Sequence, residues 1–255
     1  MNKALAIVAK EINVDVLDYY SKLSDLTPIY LVTPKKNASL EIKFPKLIII
    51  EDSKILNRSD YPDIENTSRP NWYYQQFLKY KLVLFLSYDY IHIVDGDSFI
   101  SESILFDEKN LFHTQKKIEK KYNSFIRKLN LFSNDITEKS FITNQMIYSK
   151  ENLKSMFNKL LLTDNSWIDF FIELLVNDKT IWFSEYQLYA NYLIKYQKEV
   201  EQKQIKIYRR LDLISTSIHN SLRKYDIVSF EYGHKSSLIR KFRARVYYSL
   251  GINFG

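Results

Sequence analysis

Short apolar runs alternate with helical segments in the first half of the chain, and this alternation constrains the fold more than any other feature. The runs are ALAIVA (4–9), PIYLVTP (28–34), KLIIIED (46–52) and DYIHIVDGD (89–97). Helical spacing of apolar residues appears between them, at 14–23 and 72–86. Buried strands of a parallel sheet read as continuous apolar runs, with helices as their connections. The pattern therefore predicts an α/β fold with a mostly parallel central sheet.

Acidic residues stand at the ends of two of these predicted strands. Glu51 and Asp52 close the third strand, and Asp95 and Asp97 close the fourth. Ligands of open α/β sheets bind beyond the carboxyl ends of the strands. We therefore expect the chemistry of this protein at these acids.

The tripeptide Asp95-Gly96-Asp97 admits two interpretations. Aspartate and glycine dominate ordinary surface turns, and a turn explains the tripeptide taken alone. Two carboxylates that flank a glycine can also converge on a hard cation such as Mg²⁺ or Mn²⁺. The position at the end of a buried strand favours the metal site, in which phosphate oxygens would complete the ligand shell.

Two helices carry polar residues in unusual places. In WYYQQFLK, Gln75 and Lys79 are four residues apart and form a polar patch on an otherwise apolar helix. A partly exposed helix face explains this patch, although Lys79 could also meet a phosphate or a site carboxylate. Glu185 opens the helix after Ser184, where the helix dipole stabilises an ionised carboxylate. Such a group could act as a general base, but dipole stabilisation alone is the commoner reason for an acid there.

The second half is more varied. Residues 106–128 are polar and lysine-rich, which indicates a solvated helix or a mobile flap, and 139–153 read as a strand followed by a helix. Two helices are expected at 166–178 and 184–200, and a last strand and loop at 224–237.

We expect one large domain over 1–234 and a separate tail over 235–255. In the tail, apolar residues spaced by four and clustered basic residues predict either a helix on an anionic membrane surface or an ordinary helix packed on the domain.

Composition narrows the classes of partner. The net charge of +7 favours anionic partners, and the absence of cysteine excludes disulfides and thiolate metal sites and fits a reducing cytoplasm. With only 4 glycines, the chain carries no glycine-rich phosphate loop. The first apolar run is too short for a secretory signal, and no run reaches the length of a membrane-spanning helix.

Four motifs, in this order, resemble the GT-A type of nucleotide-sugar glycosyltransferase. They are WYYQQFLK (72–79), VDGD (94–97), TNQM (143–146) and SEYQLY (184–189). More narrowly, the chain is similar to a bacterial group associated with polysaccharide synthesis that carries W-x-x-Q-Q-x-x-K, V-D-x-D, T-N-x-M and S-E-Y-x-x-Y. Ala190 stands where that group usually has glycine. The resemblance spans roughly residues 1–235 and implies a GT-A-like, Rossmann-like three-layer fold.

The resemblance also implies roles for particular residues. Asp95 and Asp97 match the acids that bind metal and diphosphate, and His234 matches a late histidine that often completes the shell around Mn²⁺ or Mg²⁺. Glu185, together with Asp97, is expected at the catalytic centre. The remaining expected contacts comprise the donor-binding residues Ala9, Lys10, Glu11, Asp52 and Lys79 and the acceptor-binding residues Asn144 and Tyr186.

These observations together predict a metal-assisted glycosyltransferase that uses a nucleotide-sugar donor and a glycan or glycolipid acceptor of the bacterial surface. We expect it in the cytoplasm, at the inner face of the membrane if residues 235–250 bind lipid, and without a nucleic-acid partner. Two alternatives stay open. One is a metal-dependent nuclease or phosphoesterase that uses Glu51, Asp52, Asp95 and Asp97, and the other is a non-catalytic module that docks on membranes through its tail.

Overall fold

A five-stranded sheet forms the centre of the fold. The structure is a computed structural model, and it describes residues 2–11, 13–23, 27–34, 38–132, 136–162, 166–197, 200–210 and 218–230. The strand order is β3 (Leu47–Glu51), β2 (Ile29–Thr33), β1 (Lys3–Val8), β4 (Tyr90–Asp95) and β7 (Gln145–Ser149), in which the first four strands are parallel and β7 is antiparallel to β4. The predicted α/β class with a mostly parallel central sheet is confirmed.

The elements follow the predicted alternation closely. The strands are β1 Lys3–Val8, β2 Ile29–Thr33, β3 Leu47–Glu51, β4 Tyr90–Asp95, β5 Ser98–Ile100, β6 Asn110–His113, β7 Gln145–Ser149, β8 Glu201–Gln204, β9 Ile207–Arg210 and β10 Ile227–Phe230. The helices are α1 Val14–Ser21, α2 Ala38–Lys43, α3 Pro70–Phe85, α4 Lys120–Lys128, α5 Lys150–Lys159, α6 Ser166–Asn177, α7 Glu185–Tyr196 and α8 Ile218–Leu222. Three short 3-10 turns lie between β3 and α3, at 52–54, 58–60 and 62–66.

The central sheet separates two hydrophobic cores, as expected of a three-layer fold. Successive residues of a strand point to opposite faces. Along β1, Ala6 and Val8 pack into a core with α3 to α7, whereas Leu5 and Ile7 pack into a second core with α1 and α2. The second core also includes apolar residues of a small sheet with the order β5-β10-β9. Because both faces are covered, every strand that positions the site is held from two sides.

Local sequence explains where the two helices of the site begin. Helix α3 starts with Pro70 at its first position, where a missing N–H costs nothing because that group has no partner within the helix. Helix α7 starts after Ser184, whose side chain accepts a hydrogen bond from the Gln187 backbone N–H at 3.4 Å. Ser184 thus caps the first turn of α7, at the helix start that the sequence predicts.

The segment 106–128 differs from the prediction. It contains the strand β6 and the helix α4, whose residues Tyr122, Phe125 and Ile126 are buried, instead of a wholly solvated helix or flap. β6 pairs with β8 in a two-stranded sheet. The sequence did not indicate this packing, because α4 is rich in lysine and β8 is polar and exposed along its whole length.

In the part of the chain that the structure describes, no helix has both the length and the apolar character required to cross a bilayer. His234, the expected domain boundary at 234/235 and the basic tail 235–255 lie outside the described residues.

Candidate active site

The two aspartates lie at the carboxyl edge of the central sheet. Asp95 is the last residue of β4, and in the parallel pairing of β4 with β1 it lies opposite Val8. The chain following β1 therefore passes directly beside Asp95-Gly96-Asp97. This is the edge at which the sequence predicts ligand binding.

Gly96 is required here for space. A Cβ atom on Gly96 would lie 2.3 Å from the Ala9 Cβ and 2.8 Å from the Ala9 Cα. The Gly96 N–H donates to the Val8 carbonyl at 2.9 Å, which fixes this close approach. The glycine thus fastens the aspartate turn to the end of β1, and it is needed because of its neighbour and not because of a positive φ.

A cavity of about 440 Å³, which we call the aspartate cleft, opens beside this turn. It is lined by six of the predicted site residues, Ala9, Lys10, Glu11, Lys79, Asp95 and Asp97, together with Trp72, Gln75 and Gln76 among others. The structure therefore gathers most of the expected donor-binding residues around the two aspartates.

Asp52 lies in a second, adjoining cavity of about 340 Å³, the Asp52 cavity. The two cavities share Val8, Ala9, Lys10 and Gln75, so they form one continuous depression. Burial raises the pKa of Asp52, although the Ser53 N–H and the Tyr74 hydroxyl partly offset the effect. Because Asp52 lines one cavity and Asp95 and Asp97 the other, the acids of the nuclease hypothesis are not gathered at a single point.

Lys79 is the centre of a buried polar network. Its ammonium group lies 2.6 Å from Asp95 Oδ1, 2.7 Å from Glu185 Oε1 and 3.0 Å from the Tyr186 hydroxyl. Burial lowers the pKa of Lys79, but the adjacent carboxylates of Asp95 and Glu185 outweigh it and the net shift is upward. Lys79 is therefore charged, and these three protein groups can use all of its N–H donors. The partly exposed helix face that the sequence favours is wrong, since Lys79 and Gln76 are both only 3% exposed.

Glu185 is fully buried beneath this network. The Tyr80 hydroxyl donates to its backbone carbonyl at 2.7 Å, and the Gln76 amide, with its nitrogen facing the carboxylate, donates to both side-chain oxygens. Burial raises the pKa of Glu185 to about 7 despite the charge of Lys79 and the position in the first turn of a helix. The effect of burial on the pKa of Glu185 is thus larger than the stabilisation of the ionised form that a helix start provides. At 0% exposure, the carboxylate does not reach the cleft surface.

Tyr186 and Asn144 both contact Asp95. The Tyr186 hydroxyl donates to Asp95 Oδ1 at 2.9 Å, and Tyr186 is itself buried. The Asn144 carbonyl accepts a hydrogen bond from the Asp95 backbone N–H at 2.9 Å, and Asn144 has a positive φ of 61°. Its side-chain oxygen is buried without a hydrogen-bond partner among the described residues. The structure thus brings both residues that were expected on the acceptor side into contact with Asp95. Tyr186 contacts its side chain, and Asn144 contacts its backbone.

Two hydrogen bonds hold Asp97, and its carboxyl group has a raised pKa. Its side chain accepts a hydrogen bond from the Ser98 hydroxyl at 2.9 Å, and its backbone carbonyl accepts one from the Phe230 N–H at 2.8 Å. Burial, together with the nearby charge of Asp95, raises the pKa of Asp97 to about 6. A positive ligand beside the two carboxylates would remove this repulsion.

The donor set fits a divalent cation held by few protein ligands. Asp95 and Asp97 are two neighbouring carboxyl groups that line the cleft, and the single ammonium of Lys79 is divided between Asp95 and the buried Glu185, which leaves negative charge beside Asp97. Mg²⁺ commonly binds through one or two carboxylates and completes its shell with water and substrate phosphates. Within the described ranges, no group of three or more His, Asp or Glu side chains converges on one point. Asp95 and Asp97 are thus the residues that would hold the cation.

Two buried histidines, His92 and His113, have structural contacts. His92 is 1% exposed, its Nε2 lies 2.8 Å from Gln145 Oε1, and its Nδ1 accepts from the Phe106 backbone N–H at 3.2 Å. His113 is also buried, with its Nδ1 2.9 Å from the Thr114 carbonyl. Neither His92 nor His113 was predicted to act in the site, and neither residue lines the aspartate cleft.

A cluster of aromatic and basic side chains surrounds Trp72, which lines the cleft, and this cluster was not predicted from the sequence. The Arg69 guanidinium lies over Trp72 and Trp182, at 4.2 and 4.9 Å from the ring centres. Tyr122 packs between the same two rings, with centre separations of 6.0 and 5.5 Å. We call Arg69, Trp72, Tyr122 and Trp182 the aromatic cluster. Only Trp72 had a signal in the sequence, as the first residue of WYYQQFLK.

A comparison of the sequence with protein families gives a match over most of the chain. A family of unknown function, DUF6492, matches residues 5–226. The chain belongs to DUF6492. A search of curated proteins gave no match to this DUF6492 member.

Solved structures with similarity to this DUF6492 chain have low sequence identity to it. The apo-form glycosyltransferase GlyE of Streptococcus pneumoniae TIGR4 is 11% identical, with a TM-score of 0.44 over 98% of this chain and 62% of that chain. A second GlyE structure is 11% identical, with a TM-score of 0.39 over 80% of this chain and 45% of that chain. A candidate glucose-1-phosphate thymidylyltransferase of Bacillus anthracis, in complex with sucrose, is 10% identical, with a TM-score of 0.42 over 80% and 87% of the two chains. The DUF6492 chain thus spans less than two thirds of either GlyE chain.

Proposed function

We propose that this protein is a glycosyltransferase of the GT-A type, which moves a sugar from a nucleotide-sugar donor to a growing glycan or glycolipid of the bacterial surface, such as capsule or lipopolysaccharide. The observation that carries the proposal is the placement of Asp95 and Asp97 in a cleft that continues into the Asp52 cavity. The two cavities, of about 440 and 340 Å³, have the size of ordinary small-molecule sites. The four motifs that resemble GT-A enzymes support the same conclusion.

The donor occupies the two cavities in a defined direction. Its nucleoside lies in the Asp52 cavity, where Asp52 and Tyr74 offer polar contacts and Val32 and Leu78 offer apolar ones. Its diphosphate lies in the aspartate cleft, next to Asp95 and Asp97. A bound Mn²⁺ or Mg²⁺ would neutralise charge on the departing diphosphate. His234 is a further candidate ligand from the sequence.

The buried network prepares Asp95 for this role. Lys79 and Tyr186 both contact Oδ1 of Asp95, so the carboxylate is fixed in place by two buried side chains. The Asp95 side chain remains 28% exposed and lines the cleft. Glu185 acts through Lys79 by holding the ammonium in place. In this proposal Glu185 is a positioning residue, since its burial separates it from an acceptor hydroxyl.

Transfer consists of one bond exchange at the sugar. The bond between the anomeric carbon and the diphosphate oxygen breaks, and the nucleoside diphosphate leaves with the bonding electron pair. The oxygen of the acceptor hydroxyl bonds to the anomeric carbon, and its proton passes to the departing diphosphate or to water. The reaction takes place in the cytoplasm, where the basic tail (235–250) would hold the enzyme at the inner face of the membrane. The sequence pattern of the tail and the lack of cysteine support this location.

A thermal-shift screen tests the proposal. UDP-, GDP-, CMP- and dTDP-sugars are added with and without Mn²⁺, and one nucleotide should stabilise the protein only when the metal is present. Asp95→Asn and Asp97→Asn should lose this stabilisation and the transfer activity. Asp89→Asn is the matched control, because Asp89 is an exposed acid next to the opposite end of β4. Full metal-dependent activity of Asp95→Asn, or no response to any nucleotide sugar, would overturn the proposal.

A further inference from the structure

A third cavity lies on the other side of the aromatic cluster. It has a volume of about 360 Å³, and its lining includes Lys116, Lys117, Arg209 and one carboxylate, Glu119. We call it the basic pocket. Lys117 also pairs with Glu138 at 2.6 Å, but both partners are more than 70% exposed, and water weakens such a pair strongly. The lining thus has three basic side chains and one carboxylate, whereas the aspartate cleft has three carboxylates and two lysines.

The aromatic cluster joins the basic pocket to the cleft. Trp72 lines the aspartate cleft and Tyr122 lines the basic pocket, and the centres of their rings are 6.0 Å apart. Trp72 and Trp182 are both partly exposed. The linings of the two cavities therefore contain neighbouring aromatic rings, Trp72 in the cleft and Tyr122 in the basic pocket.

A second connection runs along the backbone. Ser140 and Ile142 line the basic pocket, and two residues later the Asn144 carbonyl accepts the hydrogen bond from the Asp95 N–H. The wall of the basic pocket is thus continuous with the turn that carries the aspartates. Asp52, which the proposed function assigns to the nucleoside, lines a different cavity that shares no lining residue with the basic pocket.

We propose that the basic pocket is an acceptor subsite that binds an anionic group of a glycan, while a neighbouring sugar ring of the same chain packs against the aromatic cluster. This inference rests on the proposed function and specifies its acceptor as a charged glycan. The apolar face of a pyranose ring packs well on an indole or phenol ring, whereas lysine and arginine recognise carboxylate or phosphate. Acceptor and donor anions would then bind at separate places, the first through lysine and arginine and the second at the aspartates.

Binding of defined oligosaccharides to the full chain tests this inference. Isothermal titration compares tetragalacturonate, phosphorylated maltotetraose and neutral maltotetraose, so that the carboxylate and phosphate sources of charge are distinguished. At least one anionic tetramer should bind at least tenfold more tightly than the neutral one. Binding should quench tryptophan fluorescence, and the quenching should diminish in Trp72→Phe.

Variants locate the binding. Lys116→Ala combined with Arg209→Ala should weaken the anionic tetramer at least tenfold and leave maltotetraose unchanged. Lys154→Ala, at an exposed lysine of α5, is the control and should have no effect. Equal binding of charged and neutral tetramers would overturn the inference, as would an unchanged affinity of the double variant. Tighter binding of a single-stranded oligonucleotide than of either anionic tetramer would overturn it too.

The design separates this inference from the proposed function. Stabilisation by a nucleotide sugar without preference for anionic tetramers would overturn the acceptor subsite and leave the transferase intact. Preference for anionic tetramers without any nucleotide-sugar binding would support a charged-glycan site and overturn the transferase.

Discussion

The Nζ atom of Lys79 lies 2.6 Å from Oδ1 of Asp95, so an ammonium group from the middle of α3 neutralises the carboxylate that ends β4. The same ammonium lies 2.7 Å from Glu185, which is separated from it by 106 residues in sequence. Three elements that meet only in the folded protein are thus joined at one charged centre. A buried charge is tolerated only when it is paired, so each member depends on the others.

Replacement of Lys79 by methionine should therefore destabilise the protein strongly. Methionine fills similar space but leaves Glu185 without its cation, and removal of one partner of a buried pair costs about 3–5 kcal/mol. Urea unfolding monitored by circular dichroism measures the free energy of unfolding. Lys22→Ala, which breaks an exposed pair with Asp18, should leave that free energy essentially unchanged.

A double variant checks the cause of the effect. Lys79→Met with Glu185→Gln should regain much of the lost stability, because no buried carboxylate remains beside the methionine. If the double variant were as unstable as the sum of both single variants, the ion pair would not be the source of the loss. Transfer activity should stay low even in the double variant, since Asp95 has lost the group that fixes it.

Gly96→Ala should disturb the site through crowding alone. The new methyl group would lie 2.3 Å from the Ala9 Cβ, so β1 and the aspartate turn must separate. Overpacking of this kind costs about 1–3 kcal/mol, and we expect both the melting temperature and Mn²⁺ binding to fall. Ala9→Gly removes the nearest atom but leaves the Ala9 Cα at 2.8 Å, so the double variant should recover only in part. Unchanged Mn²⁺ binding in Gly96→Ala would contradict this account.

The central sheet was predictable because its strands are buried on both faces and read as uninterrupted apolar runs. β1 to β4 lie within two residues of the runs seen in the sequence, and the acids at the ends of β3 and β4 were placed at the right edge of the sheet. The short strands β5, β6, β8 and β9 were missed. β8, with the sequence EQKQ, is wholly exposed, so its pairing with β6 leaves no apolar pattern.

The partners within the site were not predictable from local pattern. For Lys79 the sequence left two interpretations open, a partly exposed helix face and a contact with a phosphate or a site carboxylate. The second is confirmed, but nothing near Lys79 in sequence shows that Asp95 and Glu185 are both its partners. Glu185 looked like a dipole-stabilised acid at a helix start, and only the packing of Gln76 and Tyr80 shows that it is buried. Long-range pairs of this kind depend on how α3 and α7 pack, which periodicity within each helix does not determine.

His92 should make the fold sensitive to mild acid. Its Nδ1 accepts a hydrogen bond and the ring is buried, so burial lowers the pKa of His92 to about 4 while the side chain keeps its ordinary value in the unfolded chain. The unfolded state therefore binds the proton first, and the stabilisation present above pH 6.5 is lost as the pH falls towards 4. The free energy of unfolding should therefore decrease by about 2 kcal/mol at pH 5.

Urea unfolding of wild type and His92→Asn at two pH values, about 7.5 and 5, measures this decrease. The variant should lose about 2 kcal/mol less than wild type between them, and equal losses would contradict the prediction.

Asp52→Asn should weaken nucleotide binding while metal binding persists. Asp52 is 8% exposed and lines the cavity assigned to the nucleoside, whereas the acids assigned to the metal line the adjoining cleft. A hydrogen bond to a charged group contributes about 1.5–3 kcal/mol, so affinity for the nucleoside diphosphate should fall by at least about tenfold. Isothermal titration with the nucleotide selected by the thermal-shift screen, at saturating Mn²⁺, measures the change in affinity.

Asp63→Asn is the matched control, because Asp63 is an exposed acid of a neighbouring turn. The Asp63→Asn variant should bind the nucleotide as wild type does. An equal decrease in both variants would show that general surface charge, and not the Asp52 cavity, determines nucleotide affinity.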